Sequence, residues 1–309
     1  MKKPTKPLLI FDRIQDMYQM LNVPVETANL KSEFTIYELG KFGIPANFHS
    51  PVYRANFFSF VFVKDAFGRC SSDANWFDLE PGIVYFNNPG HIKEFVVKEM
   101  KSLFMLTLSE AFLKENVHAN IFDEFPFLLS ETVPPRLLSG EQFEELEELY
   151  LQIQKAYRSG SPYRNKLIGH LFVAILFKIR ESFWKGYSPV NEGDRASQIV
   201  RKFKLAMEKH YRELSKGQIE RVNRVQEYAD ILNLHPNYLN TVIKTKTGKS
   251  VGTWISEKTI AEAKALLKNS NMSVKEISYR LGFAEIQNFS TYFKKHTHST
   301  PVYYRSGLY

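Results

Sequence analysis

Residues 273–305 read SVKEISYRLGFAEIQNFSTYFKKHTHSTPVYYR, and the spacing of the apolar positions in this stretch fixes its local structure. Val274, Ile277 and Leu281 fall three and four residues apart, Gly282-Phe283 interrupts the period, and Phe289 and Phe293 resume it. The pattern is that of a helix, a short turn and a second helix, each apolar on one face only. Ser273 with Glu276 supplies an S-x-x-E capping box where the first helix starts. The same pattern stands earlier in the chain. Val225, Tyr228, Ala229, Leu232 and Leu234 match Val274, Ile277, Ser278, Leu281 and Phe283 at an offset of 49. Past the turn the offset becomes 50, pairing Leu239 with Phe289, Ile243 with Phe293, Lys244 with Lys294 and Gly248 with His298. Asn223 with Gln226 is the corresponding cap of the first copy. The chain thus carries two helix-turn-helix motifs, at about 225–247 and 274–296.

The outward chemistry of each second helix separates these motifs from ordinary helical hairpins. The first, Pro236 to Lys246, presents Asn237, Asn240, Thr241 and Lys244; the second, Glu285 to Lys295, presents Gln287, Ser290, Thr291, Lys294 and Lys295. Amide side chains pair bidentately with adenine edges, hydroxyls bond base or phosphate, and lysines neutralise phosphates. Between the motifs, residues 252–268 contain no breaker and are rich in Ala, Leu, Lys and Glu. A helix there spans roughly 25 Å, a rod suited to holding two recognition helices about 34 Å apart, one turn of DNA. One chain then reads two successive major-groove segments.

With these residues in view, positions from about Ile199 to Arg305 resemble the DNA-binding domain of the AraC/XylS family of bacterial transcription regulators. The matching stretches are HPNYLNTVIKTKTGKS, WISEKTIAEAKALL and EISYRLGFAEIQNFSTYFKKHTHSTPVYYR. The resemblance implies a seven-helix all-α fold with base-reading residues on the third and sixth helices. It carries that role onto Asn237, Asn240, Thr241, Ile286, Gln287 and Thr291; from their chemistry, Lys244, Lys246, Lys249, Ser290, Lys294 and Lys295 are expected to hold phosphates. The sequence also departs from the family pattern. His298 stands where the family has Gly at a helix C-cap that needs positive φ, Thr259 stands where Arg is common, and Arg224 stands where a Thr or Ser cap is usual.

Composition agrees with this division of labour. The net charge of +8 comes from 41 Lys plus Arg against 33 Asp plus Glu, and it is unevenly placed. Up to Arg195 there are 22 basic and 24 acidic residues; from Ala196 onward there are 19 and 9. The carboxy-terminal part therefore holds a charge of +10, which suggests a polyanion partner, nucleic acid or an anionic membrane surface, or else a solubilising face; the two motifs and the family resemblance favour double-stranded promoter DNA. A composition 44% hydrophobic and 24% charged excludes a disordered or fibrous chain. The single cysteine, Cys70, excludes an intrachain disulfide and is read as a thiol without a special role. The first residues have no signal-peptide core, and no run of 18 apolar residues is present, so the expectation is a cytoplasmic protein without a membrane span.

The amino-terminal part reads differently. From about Phe34 to Leu108, short aromatic and β-branched runs alternate with turn residues, among them Asp65-Ala-Phe-Gly68 and Glu80-Pro-Gly82, as in a compact antiparallel β region. Of 25 phenylalanines, 21 precede Arg195. Amphipathic helices follow over about 141–185, broken near Ser159-Gly160-Ser161-Pro162; their wide apolar faces serve packing or a dimer interface. A Gly- and Pro-bearing linker is placed at 186–195. The expected architecture is α+β: residues 1–185 form an effector-binding and dimerisation domain, and 196–309 form the DNA-binding domain. The family resemblance implies that the β region is a cupin-like barrel sensing a small molecule, with His49, Tyr53, Arg54, Phe58, Phe60, Trp76, Tyr85 and His91 as its pocket. His49 lacks the H-x-H partner that a metal-binding cupin uses, so no metal and no cofactor are assigned. The function these readings support is that of a non-enzymatic, homodimeric transcription regulator, an activator or a repressor, with RNA polymerase as a further partner. Two alternatives stand beside it: a cupin-type metalloenzyme with a DNA-binding appendage, and a constitutive DNA-binding protein with no effector.

Overall fold

The computed structural model describes residues 8–24, 32–72, 75–118, 120–129, 134–183 and 194–306. The chain divides into two compact units, one of residues 1–112 with 125–192, the other of residues 113–124 with 193–309. Of the linker expected at 186–195, residues 186–193 lie outside the described residues, while Asp194 and Arg195 cap and begin a helix.

The first unit begins with β1 (Leu9–Phe11) and α1 (Ile14–Met20), followed by β2 (Phe34–Glu38), β3 (Phe48–His49) and β4 (Tyr53–Ala55). Then come β5 (Phe58–Ser72), β6 (Asn75–Leu79), β7 (Ile83–Asn87) and β8 (Ile92–Leu108). The chain passes through α2 (Glu110–Asn116) and α3 (Ile121–Glu124), then β9 (Arg136–Leu137), α4 (Gly140–Tyr157) and α5 (Arg164–Phe183). The strands share one sheet in the order β1-β4-β8-β5-β7-β9, with β2 and β3 also paired to β8 and β6 to β5. Its spine is the long antiparallel pair β5 and β8, in register from Phe58 opposite Leu108 to Ser72 opposite Lys93.

One expectation fails on this spine. Asp65-Ala-Phe-Gly68 is not a turn between two strands but a run of irregularities within β5, with register shifts at Val63/Asp65, Asp65/Ala66 and Phe67/Gly68. Turn-type residues relieve a bulge as readily as they make a hairpin. Gly68 is required there, since a Cβ would lie 2.2 Å from the Val96 carbonyl oxygen. Glu80-Pro-Gly82 does form a turn, closed by the Ile83 N–H on the Glu80 carbonyl at 3.2 Å, with Gly82 at φ +91°.

The period of two along β5 sorts its side chains between two layers. Val61, Val63 and Cys70 face an interior that also holds Tyr53 and, from α1, Met17 and Tyr18. The Tyr18 hydroxyl is buried within 2.7 Å of Thr107 Oγ1. The opposite side meets the helices: Phe62 stacks on Phe143 of α4 with centroids 4.1 Å apart, and Phe60 meets Phe172 of α5 edge-on at 4.9 Å. Each such buried ring contributes roughly 1.5–3 kcal/mol through lost aqueous surface. A capping box of Ser139 and Gln142 starts α4.

The second unit contains α6 (Arg195–Ser215), α7 (Val225–Ile231), α8 (Pro236–Thr247), α9 (Val251–Asn269), α10 (Val274–Arg280), α11 (Ile286–Thr297) and α12 (Pro301–Ser306), besides residues 113–124. From α6 onward α8 is the third helix and α11 the sixth. Leu239 and Ile243 of α8, like Phe289 and Phe293 of α11, are wholly buried in one core with Phe203 and Tyr211 of α6. Gly248 and His298 close their helices alike, at φ +79° and +58°, each donating its N–H to the residue four back at 2.8 Å. The histidine adopts the positive φ that the position demands. The cap of α7 differs from the expected one. The Glu227 carboxylate accepts the Arg224 N–H at 2.6 Å, whereas the Asn223 N–H turns back to His210 Nε2 at 3.1 Å.

Candidate nucleic-acid interface

Each helix-turn-helix motif is built by its apolar inner face, and what remains outside is the candidate interface. Pro236 at the first position of α8 and the His235 ring accepting the Asn237 N–H at 3.3 Å set the start of that helix. With Leu239, Val242 and Ile243 turned inward, Asn237, Tyr238, Thr241, Lys244 and Thr245 are exposed. On α11 the exposed residues are Gln287, Asn288, Thr291, Lys294 and Lys295, with His296 beyond them. These two sets correspond one to one at the offset of 50 found in the sequence. Applied to the whole face, that offset adds Tyr238, Thr245 and Asn288 to the residues expected from sequence.

The remaining sequence candidates have other surroundings. Asn240 is half-buried, and its Oδ1 accepts the Val251 N–H at 3.0 Å, tying α8 to the first residue of α9. Ile286 and Ser290 are half-buried. The Thr241 hydroxyl donates to the Asn237 carbonyl at 2.8 Å, which leaves its lone pairs and methyl group outward. Lys246 reaches back to the start of α6, 3.2 Å from Asp194 and 3.0 Å from Ser197 Oγ. Asp194 caps α6, and hydrogen bonds from Ser197 backbone and side chain, with Lys246 after them, hold its carboxyl down to about 2. Lys249 is bound by both oxygens of Glu257, at 2.5 and 2.6 Å, and lies over the Trp254 ring. Both lysines therefore have anionic partners within the unit, whereas Lys244, Lys294 and Lys295 point into solvent.

The helix between the motifs is one uninterrupted piece. Ser250 caps α9 by accepting the Thr253 N–H at 3.1 Å, and its 19 residues run about 28 Å. Tyr211 of α6 sits 2.6 Å from Thr259 Oγ1 and donates to the Ile255 carbonyl at 3.0 Å, so Thr259 has a buried role of its own. Helices α8 and α11, of matched outward chemistry and both packed on α9, present the kind of surface that can follow successive major-groove segments.

Residues 228–307 match the family model of a helix-turn-helix domain. These residues therefore form a helix-turn-helix domain. Among curated relatives, the HTH-type transcriptional regulator YobQ of Bacillus subtilis is 34% identical over 85 residues, 28% of this chain and 35% of YobQ. The raffinose operon transcriptional regulatory protein RafR of Pediococcus pentosaceus is 24% identical over 170 residues, 55% of this chain and 57% of RafR. Both alignments thus span less than two thirds of the relative's own length. Among solved structures, ToxT of Vibrio cholerae aligns over 88% of this chain and 97% of its own with 14% identity and a TM-score of 0.37. The matched residues 228–307 include both α8 and α11.

The residues proposed from sequence as an effector pocket do not share one surface. Tyr53 and Tyr85 face the interior of the first unit, where Cys70 is also buried and its thiol is pushed up to about 12 by desolvation. Lys93, opposite Tyr53 in the β4–β8 pair, is buried too and was not singled out from sequence, where a lysine in a strand reads as solvent-facing. Arg54 and His91 are buried. Phe60 belongs to the helix-facing layer, and Phe58 shares its side of β5 by alternation, so neither lines the interior. His49 is exposed on β3, and Trp76 is exposed under the guanidinium of Arg69. Among the described residues no helix is long and apolar enough to cross a membrane.

Proposed function

We propose that the protein is a sequence-specific transcription regulator, which inserts α8 and α11 into successive major-groove segments of promoter DNA. The observation that carries this reading is the repeated outward set. Asn237 and Gln287, Thr241 and Thr291, and Lys244 and Lys294 occupy equivalent exposed positions on two helices joined by the continuous α9. Amide and hydroxyl groups at the amino-terminal end of each helix read base edges, and the lysines one turn further on hold phosphate. The first unit then serves as sensor and dimerisation module. Its effector set narrows to the buried Tyr53, Arg54 and His91 with the half-buried Tyr85, while RNA polymerase is the partner through which promoter occupancy acts. The dimer face is the exposed stripe of α5, where Leu167 is 51% and Phe177 44% exposed. YobQ and RafR are named as transcriptional regulators, which supports a regulatory and not a catalytic role.

The deciding experiment is selection of duplexes from a randomised library by the full chain. Recovery of a shared motif with two conserved blocks about one helical turn apart is the expected result. Enrichment of no sequence over random DNA overturns the reading. A thermal-shift screen of small molecules addresses the sensor role, with a Tm increase abolished by Tyr85→Ala as its positive outcome.

A further inference from the structure

Residues 113–124 lie, in sequence, within the sensor half, yet they form part of the DNA-binding unit. Their packing there is unusual for a surface segment. Leu113 and Ile121 are wholly buried, and Phe122 is 2% exposed. Lys114 is buried and pairs with Glu262 of α9, its Nζ also lying 3.6 Å from Glu208 of α6. Glu208 in turn holds Lys258 of α9, which is 1% exposed. The Phe122 ring lies against both ammonium groups, 5.8 Å from Lys114 and 5.0 Å from Lys258. Around this centre Asn269 donates to the Glu115 carbonyl at 2.9 Å, the Tyr304 hydroxyl of α12 meets the Glu115 carboxylate, and Arg212 of α6 pairs with Asp123.

Three of the four buried charges belong to α6 and α9, and they sum to −1; Lys114 brings the set to neutrality. A buried ionic set of this kind contributes little net stability but strongly penalises arrangements that leave one member alone, and so specifies one geometry. The geometry concerned is the angle between α6 and α9. Helix α6 packs on α7 and α8 of the first motif, and α9 packs on α10 and α11 of the second.

We propose that the face formed by α6, α9 and α12 is a docking surface for residues 113–124 of the same chain, and that docking fixes the two motifs in the relation needed to bind both DNA segments together. The segment leaves the exposed residues of α8 and α11 uncovered, so docking favours DNA binding and does not occlude it. At Phe112 and Phe125 the chain continues into the sensor unit, which makes the segment a route by which events there change DNA affinity. The inference rests on the reading of α8 and α11 as recognition helices.

The test uses the full chain with Lys114→Met, Lys114→Met combined with Glu262→Gln, and the milder Asp123→Asn. The probes are a duplex selected from a random library by the unaltered protein and the same duplex with the block read by one motif scrambled. Lys114→Met leaves Glu262 buried without its cation, so Tm falls and hydrogen exchange over 113–124 accelerates; adding Glu262→Gln restores Tm. In both proteins affinity for the two-block duplex drops about 10-fold, while affinity for the scrambled duplex stays within about twofold. Asp123→Asn shifts affinity the same way by a smaller factor. Unchanged two-block affinity despite accelerated exchange overturns the proposal, and so does an equal loss on both duplexes once Tm is restored. If the unaltered protein selects no duplex, the DNA-binding reading itself fails, and unchanged exchange in Lys114→Met then also removes the docking claim.

Discussion

At the scale of single residues, two asparagine or glutamine side chains that look alike in sequence have different work. Gln287 is exposed on α11 with its amide free to meet a base edge, whereas Asn240 spends its carbonyl oxygen on the Val251 N–H. Gln287→Ala is expected to cost about 1 to 3 kcal/mol of affinity for the selected duplex and to relax the preference at one base pair. Lys294→Ala should weaken selected and random duplexes alike. Competition titrations with both duplexes separate the two outcomes, and an equal loss for Gln287→Ala removes it from base readout. Asn240→Ala should instead lower stability by about 0.5 to 1.5 kcal/mol, the net worth of one intramolecular hydrogen bond, and weaken every duplex to the same degree. Asn240→Asp keeps the acceptor and should retain the stability, as urea unfolding will show. A loss of preference at one position in Asn240→Ala, without loss of stability, returns the residue to the reading set.

At the scale of elements, the two helix-turn-helix motifs were legible because their signals are local. Helical period, a capping box at Ser273 and the 49- and 50-residue offsets all sit within short windows, and they place α7 to α11 within a residue or two of their structural bounds. The β unit was legible in its central part, about 34–108, but not in its outer strands or its connectivity. Leu9–Phe11 and Arg136–Leu137 become strands only through partners far away in the chain, and Asp65 to Gly68 reads as a turn until β8 is seen to run alongside it. Two of the expected pocket residues lie elsewhere for a related reason. Phe58 and Phe60 have the composition of a cavity wall, and only the sheet's two-sided packing shows that they serve the helix layer. The cap of α7 was hidden because His210, distant in sequence, takes the Asn223 N–H. That contact has a consequence in pH. Burial holds His210 below its ordinary value of 6.5, and its neutral Nε2 accepts the Asn223 N–H. The unfolded chain then takes up a proton before the folded one, so its contribution to stability is complete above pH 6.5 and is lost as pH falls through the lower folded value. Urea unfolding midpoints should decline from pH 7.5 to 5.5, and His210→Gln should flatten that decline. An identical slope in the variant would assign the pH dependence to other groups, such as His296, whose value is also lowered by desolvation.

At the scale of the whole molecule, charge segregation overstates what is offered to DNA. The +10 of residues 196–309 includes Lys258 paired inside the core, Lys204 buried against Trp254, and Lys246 and Lys249 held by Asp194 and Glu257. The outward lysines of α8 and α11 are Lys244, Lys294 and Lys295. At about 0.9 counterions released per phosphate, three contacts give a slope of log affinity against log salt of about −3 for one chain, and about −5 to −6 for a dimer with both copies engaged. The slope therefore reports oligomeric state as well as contact number. Leu167, Leu171, Ala174 and Phe177 lie on the side of α5 turned away from Ile168, Phe172 and Ile179, which are wholly buried. Covering such a stripe with a second copy removes apolar surface from water at about 25 cal/mol per Å², and one arginine placed within it leaves a charge to be desolvated. Leu167→Arg is thus expected to shift the sedimenting species from twice the 36.0 kDa chain mass to the single chain and to halve the salt slope together. Loss of mass with an unchanged slope would mean that only one copy grips DNA. An unchanged mass would place the dimer contact on another face.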